Sequence, residues 1–432
     1  MAVAAVVLLL AFRQNASLPA TLGSTWTQVL MLLCGMAWVV SRIYRDPDPT
    51  ARDGAWLFAV ANTSVTLLSW SLSSMRGIPL GADRETMDLA IFQEVIVLLF
   101  FGFLLCNLVS LRSAILTAQA IVIGITVSAA YALLEVFTGV DLAAMIRPPL
   151  TRAGGSVLSG ELLREGMVRA QGAAGHPLEL AVLLATVLPL GVALIFVARA
   201  RNGRPWFWAG CSALIALAIA TSLSRASILS IGLAFSVMGL FWGSRRMAAV
   251  VAAGIAGAGL VVLVRPGVLL AFISVFAASG TDDSLYSREF GRAYAVDQWL
   301  RHPFFGIGYS GYAVPYNPVL DNQYLARLVE TGVAGVVTMV VLWGSAVVVA
   351  VRAASRIPRE AVGDSLALRE LAIGIVGTLT VVLLSNTVLD TLGFRQVATM
   401  TYFLLALAWA TKRLAVRNYP PHSRATTAPL SR

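Results

Sequence analysis

Read along the chain, apolar residues gather into long runs broken by short polar turns. Such runs lie at about 22–41, 54–72, 87–108, 114–137, 177–198, 206–221, 227–243, 248–264, 329–351, 370–388 and 396–411. Each is close to the length that an α-helix needs to cross a bilayer, roughly 20 residues. An opening run from Ala2 to Phe12 is short for a span and lacks the basic flank of a signal peptide, which leaves a first helix cut short or a short tilted one. With it the expected fold class is all-α: a polytopic membrane protein of about 12 transmembrane helices, with a large extracytoplasmic loop before the tenth span. The whole chain, 1–432, reads as a single integral membrane domain, because no polar stretch of domain size separates the runs.

Composition agrees with the pattern. Of 432 residues, 58% are hydrophobic and 12% charged, and the mean hydropathy of +0.79 excludes a soluble enzyme on a membrane anchor. The formal net charge is +10, carried by 31 arginines and Lys412. With the N-terminus inside, the inner loops and the tail hold 18 of the 32 basic residues although the outer loops are about twice as long in total, as the positive-inside rule requires. Both termini are then cytoplasmic, and nucleic acid is not an expected partner. Cys34, Cys106 and Cys211 lie inside apolar runs without metal-ligand spacing. Two long outer segments remain, 138–176 and 265–328, and these are where polar chemistry is expected. Residues 413–432, rich in Pro, Ser and Thr toward the end, read as a disordered cytoplasmic tail.

Four pieces of the outer side carry candidate chemistry. Arg169 stands in RAQGAAGHPLEL, where His176 and Pro177 open a span, and it is either a snorkelling surface residue or a phosphate ligand. Arg225, in SLSRASIL, interrupts an apolar stretch from Trp206 to Trp242, so it marks either a tight hairpin at the headgroups or a functional charge. Its neighbours Ser224 and Ser227 can cap helix ends. Arg288 and Arg292 alternate with Phe290, Tyr294, Val296 and Trp299 near helical spacing, which predicts an amphipathic surface helix ending at His302–Pro303. Gly306, Gly308 and Gly311 follow, a turn in which backbone can approach a ligand closely. In DNQYLARLVETGVAG, Asp321 is a natural N-cap and Glu330 either pairs with Arg327 or serves as an acid–base group.

Taken in this order, the four pieces resemble the O-antigen ligase and O-antigen polymerase superfamily over roughly 169–335. The arginine before a GHP-type helix start matches Arg169, and the SR-small motif matches Arg225. An arginine ahead of W...HP..G.G matches Arg288, followed by Trp299, His302, Pro303, Gly306 and Gly308. The closing motif appears as Asp321–Asn322, Tyr324, Leu325, Glu330, Gly332 and Gly335. Asp321 stands where the ligase members carry histidine, and Leu178 where asparagine often follows the GHP pattern, so the resemblance points toward a polymerase-like member.

What the resemblance implies is a glycosyltransferase of the bacterial cytoplasmic membrane, with its active site extracytoplasmic. Its donor would be an oligosaccharide on polyprenyl diphosphate, and its acceptor a glycan or a lipid-anchored sugar. Membrane lipids and envelope-assembly proteins complete the expected partners, with neither cofactor nor metal ion. Arg169, Arg225 and Arg288 would hold the diphosphate, helped by Arg292 and His302. Asp321 would orient or deprotonate the acceptor hydroxyl, and Asn322 and Tyr324 would position sugar. Three rivals stand beside it: a ligase joining finished glycan to its anchor; a transporter or flippase using Glu94, Glu135 or Glu179, whose spacing shows no symmetry between halves; and a non-catalytic scaffold for envelope assembly, which would not need arginines at the outer ends of three separate spans.

Overall fold

The structure, a computed structural model, describes residues 2–14, 25–44, 54–79, 81–146, 150–151, 163–164, 167–222, 224–264, 283–312 and 316–420. Residues 265–282, much of 147–166 and the end of the tail, 421–432, lie outside the described residues. Among the described residues the chain forms fourteen helices and one hairpin of two-residue strands, Leu163–Arg164 and Met167–Val168. The helices are α1 (Ala2–Ala11), α2 (Trp26–Tyr44), α3 (Gly54–Arg76), α4 (Arg84–Asn107), α5 (Leu111–Thr138), α6 (Leu142–Met145) and α7 (Pro177–Ala200). They continue as α8 (Pro205–Ser222), α9 (Arg225–Gly239), α10 (Ser244–Val264), α11 (Asp283–Arg301), α12 (Gln323–Arg356), α13 (Gly363–Ser385) and α14 (Arg395–Asn418).

Every apolar run is therefore helical, as its length and period require. Among the described residues seven helices, α2, α3, α4, α5, α7, α12 and α13, are long and apolar enough to cross a membrane. The chain is a polytopic all-α membrane protein. α8 and α9 are apolar but shorter. The opening run is a real part of the bundle: Ala5, Val6, Leu9 and Leu10 are buried, and Leu10 covers Gly124 of α5 so closely that a Cβ there would come within 2.8 Å of its own Cβ. α14 runs on to Asn418, so residues 413–418 are helix rather than the start of a disordered tail. The cause is packing, since Leu414 and Ala415 are buried and the Arg413 guanidinium donates to the Leu105 carbonyl at 2.9 Å.

At the centre stand α7 and α13, buried along nearly their whole length. Small residues let them approach: Gly374 of α13 faces Ala193 of α7, and Gly377 faces Met238 of α9. Helices surrounded by lipid gain little from hydrophobicity against one another, so close packing of small residues and internal polar ties do more. Two groups of polar ties mark opposite ends of the helices. At one end Arg201 pairs with Asp364 at 2.8 Å, and Trp242 and Arg246 both donate to Glu370 at 2.8 Å. At the other end lie the first residues of α7, α12 and α14, where the candidate chemistry sits.

Candidate functional site

The glycine-rich turn after α11 has a partner that its sequence did not announce. α12 breaks at Gly332, whose φ of 66° and ψ of −168° are not helical, and the turn 303–308 inserts at that break. The amides of Ile307 and Gly308 donate to the carbonyls of Val329 and Glu330 at 2.9 and 3.0 Å, and those of Val333 and Ala334 donate back to Pro303 and Phe304 at 2.9 and 3.2 Å. A Cβ on Gly306 would collide with the Glu330 carbonyl, and one on Gly332 with the carbonyl of Phe304. The W...HP..G.G and E.G..G motifs are thus two halves of one backbone clasp. The close approach expected of these glycines is to α12, not to a ligand. The break in α12 is likewise filled by the clasp, and no matching broken helix in the other half accompanies it among the described residues, as a transporter would want.

α3 braces the clasp. Ser69 donates to the Glu330 carbonyl at 2.7 Å, and the Arg76 guanidinium lies 3.3 Å from both the Gly306 carbonyl and the His302 ring nitrogen Nδ1. Partial burial, and then the charges of Arg76 and Arg301, hold the His302 imidazole below its ordinary 6.5 and favour its neutral form. The Glu330 carboxylate feels the Arg327 charge that spacing suggested and also takes backbone N–H groups from Ser310 and Tyr312.

Arg327 points into the bundle instead. It is 2% exposed, donates to Thr66 Oγ1 at 3.5 Å and lies 4.9 Å from the centre of the Tyr309 ring. Glu94 of α4 faces it, itself approached at 3.4 Å by Asn62, Thr63 and the Tyr402 hydroxyl. A buried cation of this kind is tolerable only with opposite charge and polar groups around it. The network explains Glu94 without transport, and burial beside that carboxylate pushes the Tyr309 hydroxyl far above its ordinary 10.

The loop between α13 and α14, residues 386–394, stitches the remaining pieces together. Asn322, not Asp321, is the N-cap of α12: its Oδ1 accepts from Tyr324 and Leu325 at 2.9 and 3.1 Å, while its Nδ2 donates to the Thr387 carbonyl at 2.9 Å. Asp321 sits one residue too early to cap. Gln323 receives the Leu392 amide on Oε1 at 2.6 Å and gives its own N–H to Asn386 and Leu389. The Tyr324 hydroxyl donates to Leu383 at 3.2 Å. Beyond the loop, Gln396 Nε2 reaches the carbonyls of Leu9, Phe12 and Ala173, its amide donates to Glu179 at 3.0 Å, and Phe394 stacks on His176. The Arg169 loop is held to the same assembly in this way.

Each residue singled out from the sequence can now be placed. Asp321, Asn322, Tyr324 and His302 belong to one backbone assembly, with Asp321 half-buried beside the 386–394 loop. Arg169 is buried at 7% exposure, which removes the snorkelling alternative. Arg225 is half-buried at the first turn of α9, with residues 223–224 between it and the end of α8 and Ser224 as N-cap; α9 packs on α7 and α13. Arg288 and Arg292 ride on α11, where Arg292 is exposed and the Arg288 side chain lies outside the described residues. That helix turns Ala295 inward against Leu320, Ala326 and Val329, and leaves Phe290 and Val296 exposed. The tether is steric: Gly291 rests against the Val319 carbonyl, where a larger side chain would not fit.

Two residues escaped the sequence reading. Arg76 is an arginine at the end of an apolar run, a pattern many span ends share. Asp390 is an acid in a short loop that had no motif around it. It is half-buried, its Oδ1 accepts the Gly393 amide at 3.3 Å, and burial, reinforced by the charge of Asp321, raises it above the ordinary carboxylate value of 3.8. Arg327 acts in the opposite direction on the same group.

A bundle of apolar helices with buried arginine and carboxylate groups at one end defines an integral membrane protein with a polar site at the membrane boundary. Residues 210–340 match the family described as O-antigen ligase, a segment running from α8 through the clasp to the middle of α12. The match covers under a third of the chain, and it agrees with the resemblance to the O-antigen ligase and polymerase superfamily carried by the motifs at 225, 288–308 and 321–335. No curated protein matches the chain. Among the described residues there is no cluster of three or more His, Cys, Asp or Glu side chains suited to a metal ion.

Proposed function

We propose that this protein transfers a glycan from a polyprenyl-diphosphate carrier to an acceptor sugar hydroxyl, at the outer face of a bacterial cytoplasmic membrane and in the manner of a polysaccharide polymerase. The family match carries this reading, because residues 210–340 take in Arg225, Arg288, the clasp and Asp321 together. Transfer leaves a diphosphate with extra negative charge, so its barrier falls if cations are fixed beforehand where that charge develops. Arg169, Arg225 and Arg288 supply that role as bidentate donors, Arg292 and His302 adding weaker contacts, and no metal ion is invoked. Asp321 faces the acceptor. Because the amides and hydroxyls of Asn322 and Tyr324 are already engaged in holding the loop, they shape the acceptor site more than they grip sugar.

Sidedness follows from charge. Arg201, Arg245, Arg246, Arg352, Arg356, Arg359, Arg369, Lys412 and Arg413 gather at the end opposite the clasp, and such an excess marks the cytoplasmic side. Both termini are then cytoplasmic, and segments 138–176 and 265–328 are extracytoplasmic. A ligase that joins finished glycan to an anchor is the second reading, supported by the description of the matched family.

Deleting the gene in its host and resolving the surface glycans by size separates these readings. Loss of long chains, with a single repeat still on its final anchor, means polymerase; full-length chains held on the lipid carrier mean ligase. Arg225→Ala returned at normal membrane level is expected to behave as the deletion, and an unaltered glycan profile refutes glycosyl transfer.

A further inference from the structure

We propose that Asp390, on the loop between α13 and α14, accepts the proton of the acceptor hydroxyl, with Asp321 as the neighbouring charge that tunes it. The assignment rests on the glycosyl-transfer reading and adds to it a residue outside the matched segment. In the step, the acceptor oxygen forms the new bond to the anomeric carbon, the bond from that carbon to the diphosphate oxygen breaks, and polyprenyl diphosphate leaves with the electron pair. The hydroxyl proton passes to the Asp390 carboxylate, so charge and atoms balance without a further reactant.

Three observations lead there. First, the loop is rigid where Asp390 sits: Gln323 binds it on both sides, at Asn386 and Leu389 and at Leu392, and Thr391 Oγ1 bonds to Asn386. Second, the carboxylate is held in place. Its Oδ1 accepts the Gly393 amide at 3.3 Å and its Oδ2 lies close over Gly393, where a Cβ would come within 2.9 Å, while the side chain stays only half-buried. Third, a cation lies behind it. Arg327 is 2% exposed, its Nε has no hydrogen-bond partner, and its charge acts on both Asp390 and Glu330.

A carboxylate works well as a base when its proton affinity approaches that of the surroundings. The groups that face Asp390 are Asp321 from the start of α12, Arg327 and Glu330 from its first turns, and Tyr309 from the clasp. Burial and Asp321 raise its proton affinity, while Arg327 keeps the ionised form available.

The test uses membranes from the host carrying the full-length chain, with their own lipid-linked glycan as donor and acceptor, and follows the rate of chain growth against pH. Asp390→Asn keeps an acceptor for the Gly393 amide and is expected to fall by about 100-fold or more, the usual contribution of a general base. Asp390→Glu restores part of the rate. Asp321→Asn moves the acidic limb of the remaining activity to lower pH, which a merely structural role of Asp390 would not produce. A wild-type rate in Asp390→Asn, with Arg225→Ala still inactive, overturns the base and leaves the transferase standing. Should Asp390→Asn not reach the membrane, an Asp390→Glu pH profile identical to wild type overturns it equally. Wild-type membranes no more active than deletion membranes overturn both.

Discussion

At the residue scale, the glycines of the matched segment turn out to be steric requirements of one backbone crossing. Gly332 combines a positive φ with a collision that any Cβ would make against Phe304. Gly332→Ala should therefore destabilise the protein by on the order of 1–3 kcal/mol from backbone strain alone, and more from the clash. Gly344, twelve residues on, has open space around its Cα, so Gly344→Ala should leave the thermal midpoint of the detergent-purified protein unchanged or slightly raised. Equal midpoints for the two variants would refute the clasp. His302 offers a second check. Because its folded-state proton affinity lies below the ordinary 6.5, the folded clasp binds fewer protons than the unfolded chain, and stability is full above that value and falls as pH drops through it. Proteolysis near 302–312 should rise on acidification below about pH 6.5 in the wild type and stay flat in His302→Gln.

At the scale of elements, helix ends and not helix faces organise the site. α12 begins where Asn322 caps it and ties it to Thr387, and α14 begins where Gln396 ties it to α1, α7 and the Arg169 loop. One 34-residue helix thus carries a cap, a buried cation, a break and a span. Gln323 is the joint with the most to lose. Gln323→Leu leaves the Leu392 amide without its acceptor, a cost of about 1–3 kcal/mol for a buried group, and is expected to speed amide exchange across 386–394 while exchange in α7 stays slow. Uniformly unchanged exchange would show that the loop is held by something else. The helical periods that located these elements were plain in the sequence, but the ties were not, since each joins residues 60 to several hundred positions apart, such as Asn322 to Thr387 and Gln396 to Leu9.

At the scale of the whole molecule, the two sets of polar ties assign the helix ends to opposite boundaries. That assignment can be read with a membrane-impermeant thiol reagent, after Cys34, Cys106 and Cys211 are replaced. A cysteine at Tyr316, 71% exposed beside the clasp, should label in intact cells, and one at the exposed Arg359 only after the membrane is opened. The reverse result would invert the topology and remove the site from the outer face.

The apolar runs, the scarcity of charge and the bias of the arginines determined by themselves that this is a helical membrane protein, which helices it contains and which way they are expected to run. Lipid makes that legible, because every span has to satisfy its backbone internally and cover itself with apolar side chains. The order of the short motifs was equally visible, and so was the buried arginine–glutamate chemistry as residue types. Only the tertiary structure decided that Asn322 rather than Asp321 caps α12, that the glycines of two motifs clasp each other, that Arg327 turns inward to Glu94, and that Asp390 joins Asp321. Those outcomes depend on which helix ends meet, and a contact between distant segments is fixed by the packing of the whole bundle, of which no single stretch of sequence carries a record.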